Sequence, residues 1–561
     1  MRDRLRLYRQ HDLRDDLVAA FIVAILLIPQ SLAYALLAGL PPQVGVYASV
    51  LPMAAYALLG SSSVNSVGPV AVVALLTAHG IAPVVADGTP ATAAALVLAA
   101  EAGLMLGVAA LFRLDALAAL LSTPVLHGFS TGAALAISLS QLPALLGSPA
   151  RGFTAPEVVG SWWDSGTPGH ALTAAFGLGA LALLWLARQH ARALLARWLA
   201  PATASLLSRC SPLVVVAAGM ALAWALAADA RGVALVGTLP PFGLQLALPP
   251  LDAALWWRLL PSAAPLALVT FVSSLAVSEG LALRRRERVD ARRELTGLAA
   301  ADLVAACSAG MPIGGSFSRG ALNAEAGART RAAGAWAALL MALAMLLLTA
   351  PLAWLPRAVL AASIVIAVMG VVEWRAFAEA WRYSRPEFAV MAAVGALTLF
   401  VGSEAALATG VALSIGLLLQ RSANPHVARI GRVGDTEHYR NVERHEVQST
   451  PGVLALRIDE SLVFTNARRL ASVVADQLAA APETKRVVLL MSPVNAIDFS
   501  AMEALRAVHE MLLERDIRLD LTEVKGPVLD RLRAGAWDKW FRGRVFLSHH
   551  QGMRDVGGHG P

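Results

Sequence analysis

The sequence predicts an α-helical polytopic membrane protein that ends in a small soluble α/β domain. Three observations carry this prediction. Of 561 residues, 57% are hydrophobic and only 15% charged, with a mean hydropathy of +0.61, a composition that a soluble chain of this size would not keep in solution. Apolar runs of membrane length recur from Leu17 to Leu419. Beyond Arg421 the chain turns mixed and charged for about the length of one small domain.

The elements follow in order. Residues 1–14 form a basic arm with Arg2, Arg4, Arg6, Arg9 and Arg14. Residues 15–421 then carry apolar runs at 17–37, 44–59, 91–112, 171–186, 213–228, 266–283, 333–348, 359–372, 389–401 and 405–419. Two further spans, 117–141 and 295–310, are softened by small and polar residues. The net charge of +7 does not indicate nucleic acid, because its placement follows membrane topology. With the arm cytosolic and the two short segments described below each counted as a crossing, the arginine clusters at 188–209, 284–293 and 375–385 all fall on the cytosolic side, whereas the loops at Arg151 and Arg231 fall outside. Charges precede a full-length span and no small-residue cleavage site follows, so no cleavable signal peptide is expected. Cys210 and Cys307 lie at or within spans and suggest neither a disulfide framework nor a metal centre. His127 is read as the one histidine deep in a span, and as a satisfied interhelical donor rather than a ligand.

Two short segments interrupt the apolar pattern. Val67-Gly68-Pro69-Val70-Ala71-Val72 places proline where a first helical turn accepts it. In Gly314-Gly315-Ser316-Phe317-Ser318-Arg319-Gly320, Ser316 is a natural N-cap that puts Phe317, Ser318 and Arg319 in a first turn. Counting from Asp15 and from Ser262, Gly68 and Gly315 each lie 53 residues on, so the two segments hold equivalent places in two halves of the chain. Each reads as a half-helix of about ten residues, or roughly 15 Å. Two half-helices meeting near the midplane aim unpaired amides and positive dipole ends at one spot, which suits an anion. An arginine inside a membrane segment costs about 2.5 to 3.5 kcal/mol even on lenient scales, so Arg319 reads as functional.

These residues carry a resemblance. Ile28-Pro29-Gln30-Ser31-Leu32-Ala33-Tyr34-Ala35, Gly39-Leu40-Pro41-Pro42, Gly45-Val46-Tyr47-Ala48-Ser49, Gly60-Ser61-Ser62, the two half-helix segments and Ala326-Gly327-Ala328-Arg329-Thr330 resemble the sulfate permease (SulP) family of anion transporters. The C-terminal part is similar to the STAS domain of that family through 452–458, Phe464-Thr465-Asn466-Ala467, Asn495-Ala496-Ile497-Asp498-Phe499-Ser500 and Val524-Lys525-Gly526-Pro527-Val528. The resemblance implies 14 transmembrane segments in a 7+7 inverted repeat, with core and gate subdomains that move as an elevator. It implies a secondary transporter of small anions (sulfate, bicarbonate, dicarboxylate or halide) in the inner membrane. The N-terminus and STAS domain would be cytoplasmic, the protein a homodimer, and no cofactor would be needed. Carried over, Gln30 and Tyr34 match lining residues of the first segment, Val70 and Ala71 amides of the third, and Ser318 and Arg319 contacts of the tenth; Phe317 would supply an apolar wall and an amide.

Other readings stay open beside these. Gln30 and Tyr34 also suit an interhelical hydrogen bond, Ser318 a cap, and Arg319 an ion pair with Glu325 or Asp302. Many members have a coupling carboxylate where this chain has Ser273, which cannot titrate. Glu279, six residues on, points elsewhere around its helix, and a sodium site is incomplete because Ser273 and Val277 replace oxygen-bearing side chains. Asp302 and Glu325 are therefore the candidates for proton coupling, with a structural carboxylate as the alternative. Three rival functions remain: an uncoupled or voltage-responsive channel, a nucleobase-type symporter of the same fold, and a STAS-based anion sensor.

The soluble part, 447–555, follows a stretch at 422–446 read as an irregular linker and precedes a tail at 556–561. Strands are expected at 452–458 and 486–490, and amphipathic helices at 467–480 and 501–513. No phosphate loop, metal cluster or activated nucleophile supports an enzyme. Ser500 matches the serine phosphorylated in related STAS regulators, although Phe499 and Ala501 depart from that pattern, and is the candidate regulatory residue. The alternative is a scaffold for dimerisation.

Overall fold

A computed structural model gives the fold. It describes residues 10–114, 122–167, 169–198, 200, 204, 207–208, 211–238, 243, 245–370 and 372–555, with all side chains among these except Gln10, His11, Leu283, Arg284, Phe317, Ser318 and Leu348. Most of the arm, Cys210 and the tail lie outside this set. The chain divides into two compact units, 1–414 and 415–561.

In the first unit the apolar runs become α1 (Gln10–Leu37), α2 (Pro42–Leu59), α3 (Ala71–Ala86), α4 (Ala91–Leu111), α5 (Thr123–Leu146), α6 (Ala155–Ser165), α7 (Ala171–Leu195) and α8 (Ser211–Ala225). After these come α9 (Ala253–Arg285), α10 (Ala291–Cys307), α11 (Phe317–Glu325), α12 (Ala332–Leu352), α13 (Arg357–Met369), α14 (Trp374–Tyr383), α15 (Arg385–Phe400) and α16 (Ser403–Ala423). Among the described residues eight helices are long and apolar enough to cross a membrane, and three shorter ones are apolar. Helices stand at every expected span. Two were not separated in the sequence reading: α6, started by a capping box between Thr154 and Glu157, and α14, whose Trp374 and Trp381 are exposed as on an interfacial helix.

The helices pack in two groups. One joins α1, α2, α3, α4, α9, α10, α11 and α12; the other joins α5, α7, α8, α13 and α15, with α1 touching α8 and α13 at the seam. Without a hydrophobic drive between helices in lipid, close approach depends on small residues. A Cβ on Gly128 or Gly132 of α5 would fall 2.3 Å from Met391 O or 2.5 Å from Gly395 O of α15. A Cβ on Gly297 of α10 would lie 2.5 Å from Gly60 Cα at the end of α2. The small residues that softened the spans at 117–141 and 295–310 are thus the contact surfaces of the two groups.

The second unit is a six-stranded mixed sheet in the order β4-β3-β5-β6-β7-β8. Its strands are β3 (Val427–Arg432), β4 (Tyr439–Asn441), β5 (Val453–Ile458), β6 (Arg486–Leu490), β7 (Arg518–Thr522) and β8 (Val545–Phe546). From β5 to β8 the strands are parallel, and β3 is antiparallel to β5. Helices α17 (Phe464–Ala479), α18 (Phe499–Leu513), α19 (Gly526–Ala534) and α20 (His549–Arg554) complete the unit. Leu470, Val474, Leu505, Leu512 and Leu532 pack on Leu454, Leu456, Val487 and Leu489 to form the main core. One expectation is corrected here: the stretch 422–446 is no irregular linker, because it contains β3 and β4. Their period of two was hidden, since Ala428 and Ile430 of β3 and Tyr439 of β4 are the few buried apolar residues among arginines.

Candidate functional site

The two half-helix segments are physically joined. β1 (Ser66–Gly68) and β2 (Gly314–Ser316) form an antiparallel ladder pairing Ser66 with Ser316, Val67 with Gly315 and Gly68 with Gly314. Such irregular backbone is tolerated at membrane depth only where protein satisfies it, and the ladder does so. β1 runs through Pro69 and Val70 into α3, and β2 runs directly into α11. Because the strands are antiparallel, the helices leave the ladder in opposite directions. Their starts lie near its opposite ends, which are about 7 Å apart at 3.4 Å per residue. α3 has 16 residues and α11 has nine, so α3 is longer than the ten or so expected. Apolar residues continue the helix through His79 and Gly80 to Ala86.

The helix starts differ in capping. Val70 offers α3 no side-chain cap, so the amides of Ala71, Val72 and Val73 have no acceptor within their own helix. In α11 the Ser316 hydroxyl accepts from the Arg319 amide at 3.4 Å. Phe317 and Ser318 open this helix with their backbones, while their side chains lie outside the described set. Glycines allow the close fit: a Cβ on Gly315 would meet Asn65 Nδ2 at 2.8 Å, and one on Gly314 would meet Val70 and Val73 at 3.2 Å. Ser274 of α9 holds β2 by accepting from the Gly315 amide at 2.8 Å.

Arg319 is 1% exposed. Its Nη1 donates to Pro69 O at 2.9 Å and its Nη2 to Ser66 O at 3.5 Å, while Nε has no partner. The guanidinium of one half therefore ties down the strand that leads into the other half. Among the described residues no carboxylate stands within ion-pair distance of it, so neither Glu325 nor Asp302 is its partner. The Tyr34 side chain of α1 is buried, 7% exposed. Gln30, one turn earlier, is half-buried, with a buried Oε1 that lacks a partner. Uncancelled positive charge, uncapped amides and two polar side chains thus come from α1, α3 and α11. Chemically the arrangement can neutralise and desolvate a small anion.

The carboxylates separate by environment. Asp302 of α10 is fully buried; Oδ1 accepts from the Ile313 amide just before β2 at 2.9 Å, and Oδ2 has no partner. Glu325 is exposed at the end of α11, which removes the burial on which its candidacy rested. Ser273 turns back to Val269 O at 2.6 Å, and Glu279 is exposed. Sequence reasoning missed Glu294, also fully buried. It accepts from Tyr56 Oη (2.6 Å), Ser61 Oγ (2.7 Å), Ser278 Oγ (2.8 Å) and Asn65 Nδ2 (3.2 Å), tying α2, α9 and α10 to the approach to β1. Its only signal was a glutamate between the arginine cluster at 284–293 and the softened span at 295–310, which reads as a surface charge. His127 is not the only histidine in the spans: His79 lies in α3, where Nδ1 meets Leu75 O at 3.0 Å. His127 itself pairs with Glu373 at 2.8 Å.

In the second unit Ser500 is exposed in the first turn of α18, on a groove of about 750 Å³ lined also by Phe464, Arg468 and Phe499. Among the described residues no group of histidine, cysteine and acidic side chains could hold a metal.

A helical membrane unit whose two interrupted spans meet strand to strand around a buried arginine, followed by a mixed-sheet α/β unit, defines a membrane transporter rather than an enzyme. The chain belongs to the sulfate permease family, whose signature matches residues 13–394, and it carries a STAS domain at 444–552. It is 34% identical to a protein of Mycobacterium tuberculosis named Probable sulfate transporter, over 97% of this chain and 95% of that one. It is 31% identical to the Arabidopsis thaliana protein named Sulfate transporter 4.1, chloroplastic, over 96% of this chain and 80% of that one. The fold matches murine Solute Carrier 26 family member A9, an anion transporter, at a TM-score of 0.86 and 22% identity, over 97% and 91% of the two chains. It also matches the transmembrane domain of a cyanobacterium bicarbonate transporter at 0.60 and 20%, over 73% and 98%. The protein is thus an anion transporter of that family.

Proposed function

We propose that this protein carries sulfate, or an anion of similar chemistry such as bicarbonate, a dicarboxylate or a halide, by secondary transport across the inner membrane. The observation that carries the reading is Arg319: a buried guanidinium whose charge no described carboxylate cancels, placed where two helix starts converge. The anion is bound by the amides of Val70, Ala71 and Phe317, by Ser318, and by the side chains of Gln30, Tyr34 and Arg319. The helix group with α3 and α11 is the core and the group with α5 and α13 is the gate, across which the core moves as an elevator in a 14-span, 7+7 arrangement. The protein acts as a homodimer, with its N-terminus and STAS domain in the cytoplasm, and Ser500 is its regulatory residue.

Transport is proton-coupled symport or anion exchange. For symport Asp302 is the coupling group, since its carboxyl is fully buried with one oxygen bare, and its other oxygen holds the backbone entering β2. A second reading, uncoupled flux, is favoured by Ser273, whose hydroxyl is spent on its own helix.

The test is uptake into proteoliposomes of sulfate, bicarbonate, fumarate and chloride in turn, under a proton gradient, a sodium gradient or neither. Proton-driven uptake of one anion, lost in Arg319→Ala, is the expected result. Flux independent of both gradients selects exchange or the uncoupled reading. Uptake unchanged in folded Arg319→Ala protein overturns the site.

A further inference from the structure

The second unit holds a second concentration of arginines, unrelated to transport geometry. Arg486 begins β6 and pairs in register with Arg518 at the start of β7, while Arg544 precedes β8, whose first residue, Val545, pairs with Leu521, so the three arginines gather around Asp520 on neighbouring parallel strands. Asp520 lies beneath them, fully buried; its Oδ2 takes Arg486 Nε at 2.5 Å and Arg518 at 3.0 Å, and its Oδ1 the Arg544 amide at 2.8 Å. The second anion is Asp555, which follows α20. Its carboxylate accepts from Arg544 Nη1 at 2.9 Å and more loosely from Arg518 Nη2 at 3.5 Å, and its backbone carbonyl accepts from Arg486 Nη1 at 3.0 Å.

Arg486 is 7% exposed, and its Nη2, fully buried, has no hydrogen-bond partner; the Phe546 ring, 5.7 Å from its guanidinium carbon, gives only a distant face. A buried guanidinium nitrogen left without an acceptor beside a loosely held carboxylate marks a site that a better acceptor set would fill. Asp520 is sealed beneath, but Asp555 is a quarter exposed and the side chains of Arg518 and Arg544 are more than a third exposed, so exchange at this position is open to solvent. A tetrahedral dianion offers four oxygens and twice the charge of the carboxylate it replaces.

We propose that the strand-edge cradle of Arg486, Arg518 and Arg544 is a binding site for a tetrahedral oxyanion, sulfate or phosphate, which competes with Asp555 and so undocks the segment 549–555. This site is separate from the transport reading and stands whether or not that reading holds. It would make the docking of α20 depend on oxyanion concentration.

Hydrogen–deuterium exchange on the full chain in detergent tests it, following amides 549–555 while sodium sulfate and sodium phosphate are titrated separately against sodium chloride of matched ionic strength. Faster exchange with one or both oxyanions and not with chloride is expected; the oxyanion acting at lower concentration is the ligand. Asp555→Asn removes the competing charge and should lower the half-maximal concentration about tenfold, the equivalent of one charge-assisted hydrogen bond. Arg544→Gln should raise it, and Arg319→Ala should leave it unchanged. An unaltered 549–555 segment at tens of millimolar of both oxyanions, or an equal effect of chloride, overturns the proposal. Should the Asp555 variant fail to fold, the wild-type titration against chloride decides alone.

Discussion

Arg319→Lys keeps a positive charge and removes the fork. In the native arrangement Nη1 lies 2.9 Å from Pro69 O and Nη2 3.5 Å from Ser66 O, so one planar group holds two carbonyls of the strand approaching α3. A lysine ammonium is a point donor on a flexible stem and cannot hold both carbonyls in that geometry. The shorter bond is the one an ammonium can keep. The longer one is lost, and at 3.5 Å it belongs at the weak end of hydrogen bonds to charged groups, about 1.5 kcal/mol. Spread over anion binding, that is roughly a tenfold rise in KM. Arg319→Ala loses both bonds and the charge, leaves two buried carbonyls unpaired, and should reduce uptake by more than about a hundredfold. The assay is the initial rate of labelled sulfate uptake into proteoliposomes over a concentration series, with each variant first shown to be monodisperse and to melt as a folded protein. A KM within twofold of the native value for folded Arg319→Lys, together with uptake in Arg319→Ala, would refute the reasoning, since the anion would then not sense the guanidinium.

Three other outcomes are expected. Asp302→Asn preserves the acceptor for the Ile313 amide and removes the titratable group, so stability should hold while acceleration of uptake by an inward proton gradient disappears; a retained response excludes Asp302 as the coupling group. Glu294→Ala strands the buried donors of Tyr56, Asn65 and Ser278 and should cost about 3 kcal/mol or more, seen as a fall in melting temperature that Glu294→Gln partly restores. In the second unit, burial lowers the His549 imidazole from 6.5 to about 4, with Arg486 adding to the effect and Glu523 opposing it. The unfolded chain therefore takes up a proton below pH 6.5 that the folded unit refuses until about pH 4. Stability should fall across that window by about 3 kcal/mol and level off below it; urea unfolding of this unit at successive pH values should show the slope, and His549→Gln should flatten it.

How much of this was legible depends on the range of the forces involved. Hydropathy, the Ser316 cap and Pro69 after Gly68 are local signals; they located the helices and the start of α11, but set the start of α3 too early, because Pro69 lies ahead of the Val70 N-cap instead of in the first turn. The same locality hid β3 and β4, where three buried apolar residues are too few to show a period, and made α3 shorter than its 16 residues. It also left the carboxylates indistinguishable, because Glu325, Asp302 and Glu294 differ only in what surrounds them.

The sequence by itself therefore determined the membrane character, the order of the helices, the equivalence of the segments around Gly68 and Gly315, and the α/β nature of the last part. Burial of apolar length and satisfaction of the backbone are decided within a few turns of chain. Only the tertiary structure decided that Ser66 pairs with Ser316, that Arg319 grips the carbonyls of Pro69 and Ser66, and that Asp302 is buried while Glu325 is exposed. These contacts join residues some 250 positions apart, and a charge in a membrane takes its meaning from the few atoms that pack around it.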